Sequence, residues 1–460
     1  FGGIFMKTRM NFKDEFYQKL KLLVLPIAIQ NFMLALVSAT DAIMLGWIDQ
    51  TSLSAVSLAG QVQFVLSLFI SGIAAGAGIM AAQYWGKRDA ASIEKVIPIA
   101  LRTNLLFSGL FTILAGFCPE MLMRIFTNDA ALVASGSQYL RAVALSYVLC
   151  GISQVYLILL KNTGHAAVSS RISSTAVVLN IILNAILIYG LCGAPALGIR
   201  GAAYATVAAR VVELIWAYLE TKKPERVRIL WNRLFSSAGK ILSEDFWRYT
   251  LPVLAASLVW GIAYVLYSVI MGHMGSDAVA ANSITSIAKS LLSCLIRGVS
   301  GGAGVLIGNL LGANELEKAR EYGGRLSHLS IAIGIVTGGL LMLISPAIVH
   351  FAPLSDTAAE YLQYMLLFCG LNLMAQSVNT TVLDGIFCAG GDAKFDMQGN
   401  IGAMWCFSVP LGFLAAFWLK LPVMVVYCIV NLDEIVKLPA VYHHYKKYIW
   451  VRNITRDIED

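Results

Sequence analysis

Residues 22–48 read LLVLPIAIQNFMLALVSATDAIMLGWI, an apolar run whose only charged side chain is Asp41. At about 1.5 Å per residue, a helix of this length crosses a hydrocarbon core roughly 30 Å thick and leaves some length for tilt. An ionised carboxylate inside a membrane helix costs about 2.5 to 3.5 kcal/mol on insertion scales, so it usually faces a protein interior or a water-filled cavity. Gln30 points in nearly the same helical direction as Asp41. The stretch therefore predicts a membrane helix with one polar face.

Pro26 lies in the first third of this helix. Proline has no backbone N–H, so it removes one hydrogen bond from a helix interior. Membrane helices tolerate such a site where neighbouring groups satisfy the freed carbonyl. We expect a bend or hinge at Pro26.

The composition is that of a membrane protein. The chain is 58% hydrophobic and 13% charged over 460 residues, whereas soluble domains are about 45 to 50% apolar and about 25% charged. The apolar residues fall in runs separated by short polar loops, and the alternating strands of an outer-membrane barrel are absent. These features exclude an ordinary water-soluble enzyme and predict an all-α integral membrane protein.

The cysteines and the basic residues indicate no further chemistry. Eight cysteines occur singly in or beside apolar segments, without a CxxC pair, so we interpret them as small core residues instead of a metal or disulfide framework. The net charge of +7 comes from basic residues in alternate loops, which is typical of topology signals and not of a nucleic-acid surface.

Twelve apolar runs predict 12 transmembrane helices. Six precede a polar linker, near 22–48, 55–82, 96–117, 133–160, 172–191 and 201–219. Six follow it, near 249–271, 280–308, 326–348, 360–388, 399–418 and 422–441. The predicted domains are an N-terminal six-helix bundle, a linker, a C-terminal six-helix bundle and a basic tail, over 1–219, 220–248, 249–441 and 442–460.

Lys and Arg residues predict the orientation. They are frequent at the N-terminus, in the second and fourth loops, in the linker and in the tail, whereas the intervening loops hold little beyond Arg124 and Arg200. Short cytoplasmic loops carry the excess of basic residues. We therefore expect a multi-pass protein of the cell membrane with both termini and the linker in the cytoplasm.

The two halves of the chain repeat each other. Leu25-Pro26 falls on Leu251-Pro252, a shift of 226 residues, and the same shift places GAGIMAAQYWG (76–86) on GAGVLIGNLLG (302–312). Six spans per half is an even number, so both halves enter the membrane from the same side. The repeat predicts two six-helix bundles related by a pseudo-twofold axis along the membrane normal.

These motifs resemble one known family over nearly the whole chain. Besides the two GAG segments, the resemblance is carried by TDAIMLGWIDQTSLSAVSLA (40–59), VVLNIILNAILIYG (177–190), GIRGAAYAT (198–206) and LDGIFCAGGDAKF (383–395). The chain resembles multidrug and toxic compound extrusion (MATE) transporters of the bacterial NorM and DinF type. The resemblance implies export of organic compounds in exchange for an inward-moving cation.

Asp41, Asn180 and Asn184 are candidates for one polar pocket. Asn180 and Asn184 lie one turn apart on the fifth span, where unpaired amides are costly. A carboxylate with two amide oxygens suits a proton or a hard cation such as Na⁺, and the resemblance implies a cation or proton site at these same positions. Thr206 is a further candidate. The alternative is a hydrogen-bond cluster that only holds helices together.

The C-terminal half has no copy of this pocket. A shift of 226 carries Asp41, Asn180 and Asn184 onto Tyr267, Cys406 and Pro410. NorM-like relatives carry acidic residues on the first and fourth spans of this half, and the matching positions here are Trp260 and Ser377. We therefore expect no C-terminal cation site of that kind.

A substrate cleft is expected between the bundles. Its candidate lining residues are Gln30, Met33, Tyr156, Trp260, Tyr264, Tyr267 and Arg297. The aromatic and methionine side chains suit planar cationic substrates, although ordinary packing is the alternative. Arg297 lines the cleft or pairs with a carboxylate. For Asp384, and for Asp433 with Glu434 and Lys437, we expect a gate or structural role.

The predicted function is secondary active multidrug efflux. Amphipathic, often cationic compounds would leave in exchange for H⁺ or Na⁺, with no other cofactor. No GxxxxGK[ST] loop occurs, so ATP is not the direct energy source. A lipid-linked saccharide flippase is the alternative, but only Arg297 stands out as a basic cleft residue. An intramembrane enzyme is a further alternative, but it would need His, Asp or Glu clustered at one depth of the membrane. The histidines lie in loops, near span ends or in the tail. We expect a monomer. Its expected partners are small organic substrates and the lipid bilayer, and no nucleic acid.

Overall fold

The computed structural model describes residues 15–48, 50–229, 231, 234–235, 239–352 and 354–456. Most of these residues are helical, and none of them forms a strand. The helices are α1 (Glu15–Gly46), α2 (Gln50–Gly86), α3 (Ala90–Phe117), α4 (Pro119–Arg124), α5 (Ala130–Leu160), α6 (Ala166–Tyr189), α7 (Ile199–Thr221), α8 (Lys240–Gly272), α9 (Ser276–Gly312), α10 (Leu316–Phe351), α11 (Asp356–Thr380), α12 (Ala393–Asn400), α13 (Val409–Phe413), α14 (Val423–Val430) and α15 (Asp433–Tyr445). Several residues of the predicted linker, and the last four of the tail, lie outside the described residues.

These helices form 12 membrane spans, as predicted. Ten stretches are long and apolar enough to cross a membrane, and one of them, Ala130–Tyr189, contains both α5 and α6. The remaining span consists of α14 and α15, which are separated by Asn431 and Leu432. Helices α1 to α7 make the N-terminal bundle, and α8 to α15 make the C-terminal bundle. The predicted two-bundle, all-α architecture is confirmed.

Most helices are longer than the apolar runs that predicted them. The second run spans 55–82, whereas α2 covers Gln50–Gly86. The backbone hydrogen bonds of a helix continue past the hydrocarbon core. A cap then starts the next helix, because Asp89 Oδ1 accepts a hydrogen bond from Ser92 N at 3.0 Å.

Two kinds of backbone irregularity are invisible in the apolar pattern. Thr381–Phe387 is a π-helical turn. Lys161–His165 is a kink between α5 and α6, in which Thr163 and Gly164 leave the helical region and Gly164 has φ of 81°. The twelfth span breaks at Asn431, whose carbonyl accepts a hydrogen bond from Asn372 Nδ2 at 2.7 Å. Hydropathy reports the composition of a segment but not its backbone path, so these features were missed.

The two bundles meet through close glycine contacts that follow the repeat. Helix α1 packs on α9, and α2 packs on α8 and α9. A Cβ on Gly72 would lie 2.9 Å from Leu254 Cα, and one on Gly298 would lie 2.6 Å from Ala28 Cβ. Gly72 and Gly298 are repeat partners, and so are Ala28 and Leu254. The same contact is therefore made twice, as a pseudo-twofold axis requires.

One end of the molecule is closed by this interface and by the C-terminal tail. We call this end the linker face, because α1 begins there and α7 and α8 adjoin the linker. The Gln83 side chain donates from Nε2 to Ala389 O at 2.7 Å, and its Oε1 accepts from Ile454 N at 2.8 Å. Arg456 forms an ion pair with Asp245 at 2.7 Å. The tail thus ties α2 and α8 to the end of the tenth span.

Candidate functional site

The polar pocket of the N-terminal bundle joins three helices. Asp41 comes from α1, Asn180 and Asn184 from α6, and Thr206 from α7. Helices α6 and α7 pack on one another, and α1 packs on α6. Asn180 is 6% exposed and Asn184 is fully buried. The pocket lies in the half of the bundle away from the linker face, because these residues are near the far ends of their helices.

A continuous chain of hydrogen bonds runs through the pocket. Thr206 Oγ1 donates to Ala202 O at 3.0 Å and accepts from Asn180 Nδ2 at 3.3 Å. Asn184 Nδ2 lies 3.2 Å from Asn180 Oδ1 and 2.5 Å from Asp41 Oδ1. All four predicted residues are therefore brought together, although the sequence places Asp41 and Asn184 143 residues apart.

Among the described residues, the Asp41 carboxylate has an amide donor but no counter-charge. Within the described part of the chain it accepts a hydrogen bond from Asn184 and forms no ion pair with Lys or Arg. Asn184 Oδ1 is buried and has no partner among the same residues. A carboxylate and a free amide oxygen are the donors that a proton or a hard monovalent cation uses. The residues present thus fit a small cation.

The repeat partners of the pocket residues are placed differently. Tyr267 is buried at 9% exposure among apolar side chains, while Cys406 and Pro410 are exposed. The eleventh span, which corresponds to α6, is interrupted by π-helical turns at Ile401–Ser408 and Leu414–Trp418. These positions form no polar pocket in the C-terminal bundle.

A central cavity of about 520 Å³ lies between the bundles. Its walls come from α2, α5, α8, α9 and α11, and from the spans that contain α12 and α15. Apolar walls include Leu68, Ile79, Val253, Trp260 and Val305. The volume falls within the range of about 300 to 1,000 Å³ that is usual for small-molecule sites.

A model of the MatE family matches residues 26–186 and 252–414. The chain belongs to the MatE family. The two matched segments begin at Pro26 and Pro252, which are repeat partners. The family model therefore recognises the same two halves that the structure folds into bundles, and the resemblance seen in the sequence motifs is confirmed.

Individual relatives cover almost the whole MatE chain. It is 21% identical to the uncharacterized transporter YisQ of Bacillus subtilis (strain 168), over 93% of each chain. It is 21% identical to the probable multidrug resistance protein YoeA of the same organism, over 98% of each. A solved MOP superfamily transporter from Pyrococcus furiosus has a TM-score of 0.85 at 20% identity, over 94% of this chain and 95% of the other.

Two of the predicted cleft residues line the central cavity of this MatE protein. Trp260 and Arg297 both border it. Tyr264 does not, but its ring stacks on Trp260 with centroids 5.5 Å apart. Arg297 donates a hydrogen bond to Ser290 O at 3.4 Å and forms no ion pair among the described residues. Arg297 therefore lies at the cavity wall, which is one of the two placements considered for it.

The other predicted cleft residues lie elsewhere. Tyr156 is fully buried in the core of the N-terminal bundle, where its hydroxyl accepts a hydrogen bond from Trp231 Nε1 at 2.8 Å. Tyr267 is buried in the C-terminal bundle. Gln30 and Met33 are half-buried on α1 and do not border the cavity. Periodicity gave these side chains a helix face but not the neighbour that the face meets.

The cavity also exposes ionisable residues that the sequence analysis did not assign to the cleft. Lys161, Asp384, Asp396, Glu434 and Lys437 border it. Lys161 belongs to the fourth loop, whose basic residues predict only topology, and Asp384 is predicted only as a gate or structural residue. One signal was available, because charged residues within membrane spans usually face a cavity.

Some of these charges neutralise one another. Lys437 Nζ lies 3.3 Å from Glu434 Oε1 and 3.6 Å from Asp433 Oδ2. Asn379 Nδ2 donates to Glu434 Oε2 at 2.8 Å, and Asn400 Nδ2 donates to Asp396 Oδ1 at 3.1 Å. The twelfth span therefore places one cation beside two carboxylates, and Glu434 and Lys437 of this group line the cavity.

Proposed function

We propose that this MatE protein is a secondary active transporter that exports amphipathic organic compounds in exchange for H⁺ or Na⁺. One observation carries the proposal. Asp41 is a carboxylate without a counter-charge in the described structure, and it ends a hydrogen-bond chain through Asn184, Asn180 and Thr206. Such a group gains most by taking up a small cation.

Coupling follows if occupancy of Asp41 biases the packing of α1. Helix α1 carries Asp41 near one end and contacts α9 near the other, where Val24 and Ala28 pack on Gly302 and Gly298. Pro26 lies between Val24 and Ala28, and it leaves one backbone carbonyl of α1 without its helical donor. A cation at Asp41 would change the stability of one arrangement of α1 relative to another, and Pro26 would serve as the hinge.

The linker face is proposed to be cytoplasmic. Basic residues are concentrated there, as the positive-inside rule requires. The glycine contacts and the tail close this face, so the described state would be the one in which the cavity faces outward. Rocking of the bundles would then open the linker face.

Two other functions are less well supported. A flippase for a lipid-linked pyrophosphate needs a cationic cavity, but this one is lined by as many acidic as basic side chains: Asp384, Asp396 and Glu434 beside Lys161, Arg297 and Lys437. For an intramembrane enzyme, the described residues contain no group of three or more His, Cys, Asp or Glu placed to hold a metal ion. We therefore propose transport and not catalysis, by a monomer whose partners are small organic substrates and lipid.

Dye export from reconstituted vesicles tests the proposal. The purified protein is placed in liposomes with an imposed pH or Na⁺ gradient, and movement of a fluorescent amphipathic cation is followed. We expect uphill movement with one of the two gradients, and its loss when that gradient is collapsed. Transport that requires ATP, or that proceeds equally without a gradient, would contradict the proposal.

Cysteine labelling tests the orientation. In a variant without native cysteines, Glu225→Cys lies in the linker and Asn128→Cys lies in the loop after α4, and both positions are exposed. A membrane-impermeant maleimide added to intact cells should label Asn128→Cys but not Glu225→Cys. The reverse pattern would invert the proposed topology.

A further inference from the structure

Among the described residues, three charged side chains of both signs line the central cavity with neither an ion partner nor a hydrogen bond to another side chain. They are Lys161, Arg297 and Asp384. In the part of the chain that the structure describes, neither Lys161 nor Asp384 has a side-chain hydrogen bond or ion pair, and Arg297 has only its bond to Ser290 O. Arg297 and Asp384 are exposed to the cavity and Lys161 is half-buried, so these charges stay solvated until a ligand pairs with them. These three therefore lack the counter-charges that a ligand would supply.

The three charges come from different walls. Lys161 follows α5 in the N-terminal bundle, whereas Asp384 belongs to the π-helical turn of the tenth span in the C-terminal bundle. Arg297 lies near the middle of α9. No ion pair joins Asp384 to Lys161 or to Arg297 among the described residues. The opposite charges are thus kept separate instead of neutralising each other.

At the carboxylate end of the cavity, near Asp384, a buried amide oxygen also lacks a hydrogen-bond partner within the described chain. Asn379 borders the cavity and is 2% exposed. Its Nδ2 is held by Glu434, at 2.7 Å from the backbone O and 2.8 Å from Oε2, while its Oδ1 has no partner among the described residues. Asp384 sits in a π-helical turn, a rare backbone form that is frequent at functional sites. A free amide oxygen and a free carboxylate together suit an ammonium group.

The rest of the lining suits an apolar body. Leu68, Ile79, Val253 and Val305 border the cavity, and the Trp260 ring offers an aromatic surface. Because the cavity has a volume of about 520 Å³, it accepts a drug-sized molecule.

We propose that this cavity selects amphipathic zwitterions over simple cations. The ammonium group of the ligand pairs with Asp384, its carboxylate or other anionic group pairs with Arg297 and Lys161, and its apolar body packs on Trp260 and the aliphatic wall. This inference rests on the proposed export of amphipathic compounds and narrows their class. It assigns recognition to residues other than those of the Asp41 pocket.

A matched pair of dyes tests the inference. A rhodamine methyl ester is a cation, and its free acid is a zwitterion with the same ring system, in which a carboxylate replaces the ester. Binding to the purified protein in nanodiscs is measured by fluorescence anisotropy without any gradient. We expect the free acid to bind about tenfold more tightly, because one extra charge-assisted hydrogen bond has an effect of about that size. Equal affinities, or tighter binding of the ester, would overturn the inference.

Variants separate the two ends of the ligand. Arg297→Gln and Lys161→Gln should each weaken binding of the free acid by about tenfold and leave the ester nearly unchanged. Asp384→Asn should weaken both dyes, and Arg297→Lys should recover part of the binding of the free acid. Arg200→Gln, at an exposed position outside the cavity, is the control. If Arg297→Gln weakened both dyes equally, selection for a zwitterion would be refuted.

The design keeps two failures apart. Dye binding in nanodiscs does not depend on ion coupling, so a failure of the zwitterion inference shows in the affinity ratio alone. A failure of the proposed function shows as absent uphill export of a dye that binds. If Asp384→Asn does not fold, Arg297→Gln decides the question, because its expected effect is a difference between two dyes on one protein sample.

Discussion

Gly86 and Gly312 are reciprocal partners at the linker face. A Cβ on Gly86 would lie 1.9 Å from Asn309 O, and a Cβ on Gly312 would lie 1.8 Å from Gln83 O. Gln83 and Asn309 are themselves repeat partners. Both glycines are required because the backbones of α2 and α9 cross too closely to admit a side chain.

Alanine at these glycines should open the linker face. In Gly86→Ala or Gly312→Ala the new methyl group meets backbone oxygen, so the closed arrangement should lose about 1 to 3 kcal/mol, the usual cost of overpacking. The readout is maleimide labelling of Cys388 in a background in which it is the single remaining cysteine. Cys388 borders the cavity and is 8% exposed. We expect faster labelling from the linker face. The control is Gly60→Ala, because no atom lies within 4 Å of the new Cβ. An equal labelling rate in all three variants would contradict the idea that the two glycines hold the linker face closed.

Asp41→Asn should separate binding from coupling. Asparagine keeps the size of the side chain but cannot cycle between a charged and a neutral state, so uphill export should be lost while dye binding remains. Thermal stability should be unchanged or higher, because the membrane already penalises the carboxylate. Export is measured in vesicles and stability by thermal unfolding in detergent. Wild-type export with unchanged pH or Na⁺ dependence would remove Asp41 from the coupling role, and failure to fold would favour a structural role.

The ion site should be confined to the N-terminal bundle. Asn180→Ala breaks the link between Asn184 and Thr206, so the gradient-driven rate should fall by about tenfold. Tyr267→Phe changes the repeat partner of Asp41 and should leave that rate nearly intact. Both rates are compared at equal protein in vesicles. The assignment fails if Tyr267→Phe abolishes coupling while Asn180→Ala does not.

The tail should help to hold the linker face closed. Arg456 pairs with Asp245 through two contacts of 2.7 Å, and Asp245 is only 4% exposed on its side chain. Arg456→Gln leaves this carboxylate without its cation, so Cys388 should label faster from the linker face. A double-mutant cycle with Asp245→Asn should show non-additive effects on the labelling rate. Lys447→Gln, at an exposed tail position, should have no effect. Additive effects would mean that the Arg456–Asp245 ion pair does not help to hold the linker face closed.

Local sequence patterns determined the fold and the N-terminal pocket. Apolar run length gives the spans because lipid leaves backbone groups no external partner, so each spanning segment must be helical. The shift of 226 residues gives the two bundles. Asn180 and Asn184 were found together because residues four apart share a helix face, and Asp41 was found because a lone carboxylate in an apolar run needs a polar neighbour. Each of these inferences uses spacing within one segment or between two copies of it.

Only the tertiary structure decided what meets across the bundles. Lys161 and Asp384 line one cavity although they belong to different bundles, and Gln83 is held by the tail through Ile454. Tyr156 and Trp260 are both predicted from the sequence to line the cleft, yet Tyr156 is fully buried and Trp260 borders the cavity. The break at Asn431 depends on Asn372 from another helix. Hydropathy and helical period fix the direction of a side chain within its own helix, but the partner of that side chain depends on how separate helices pack.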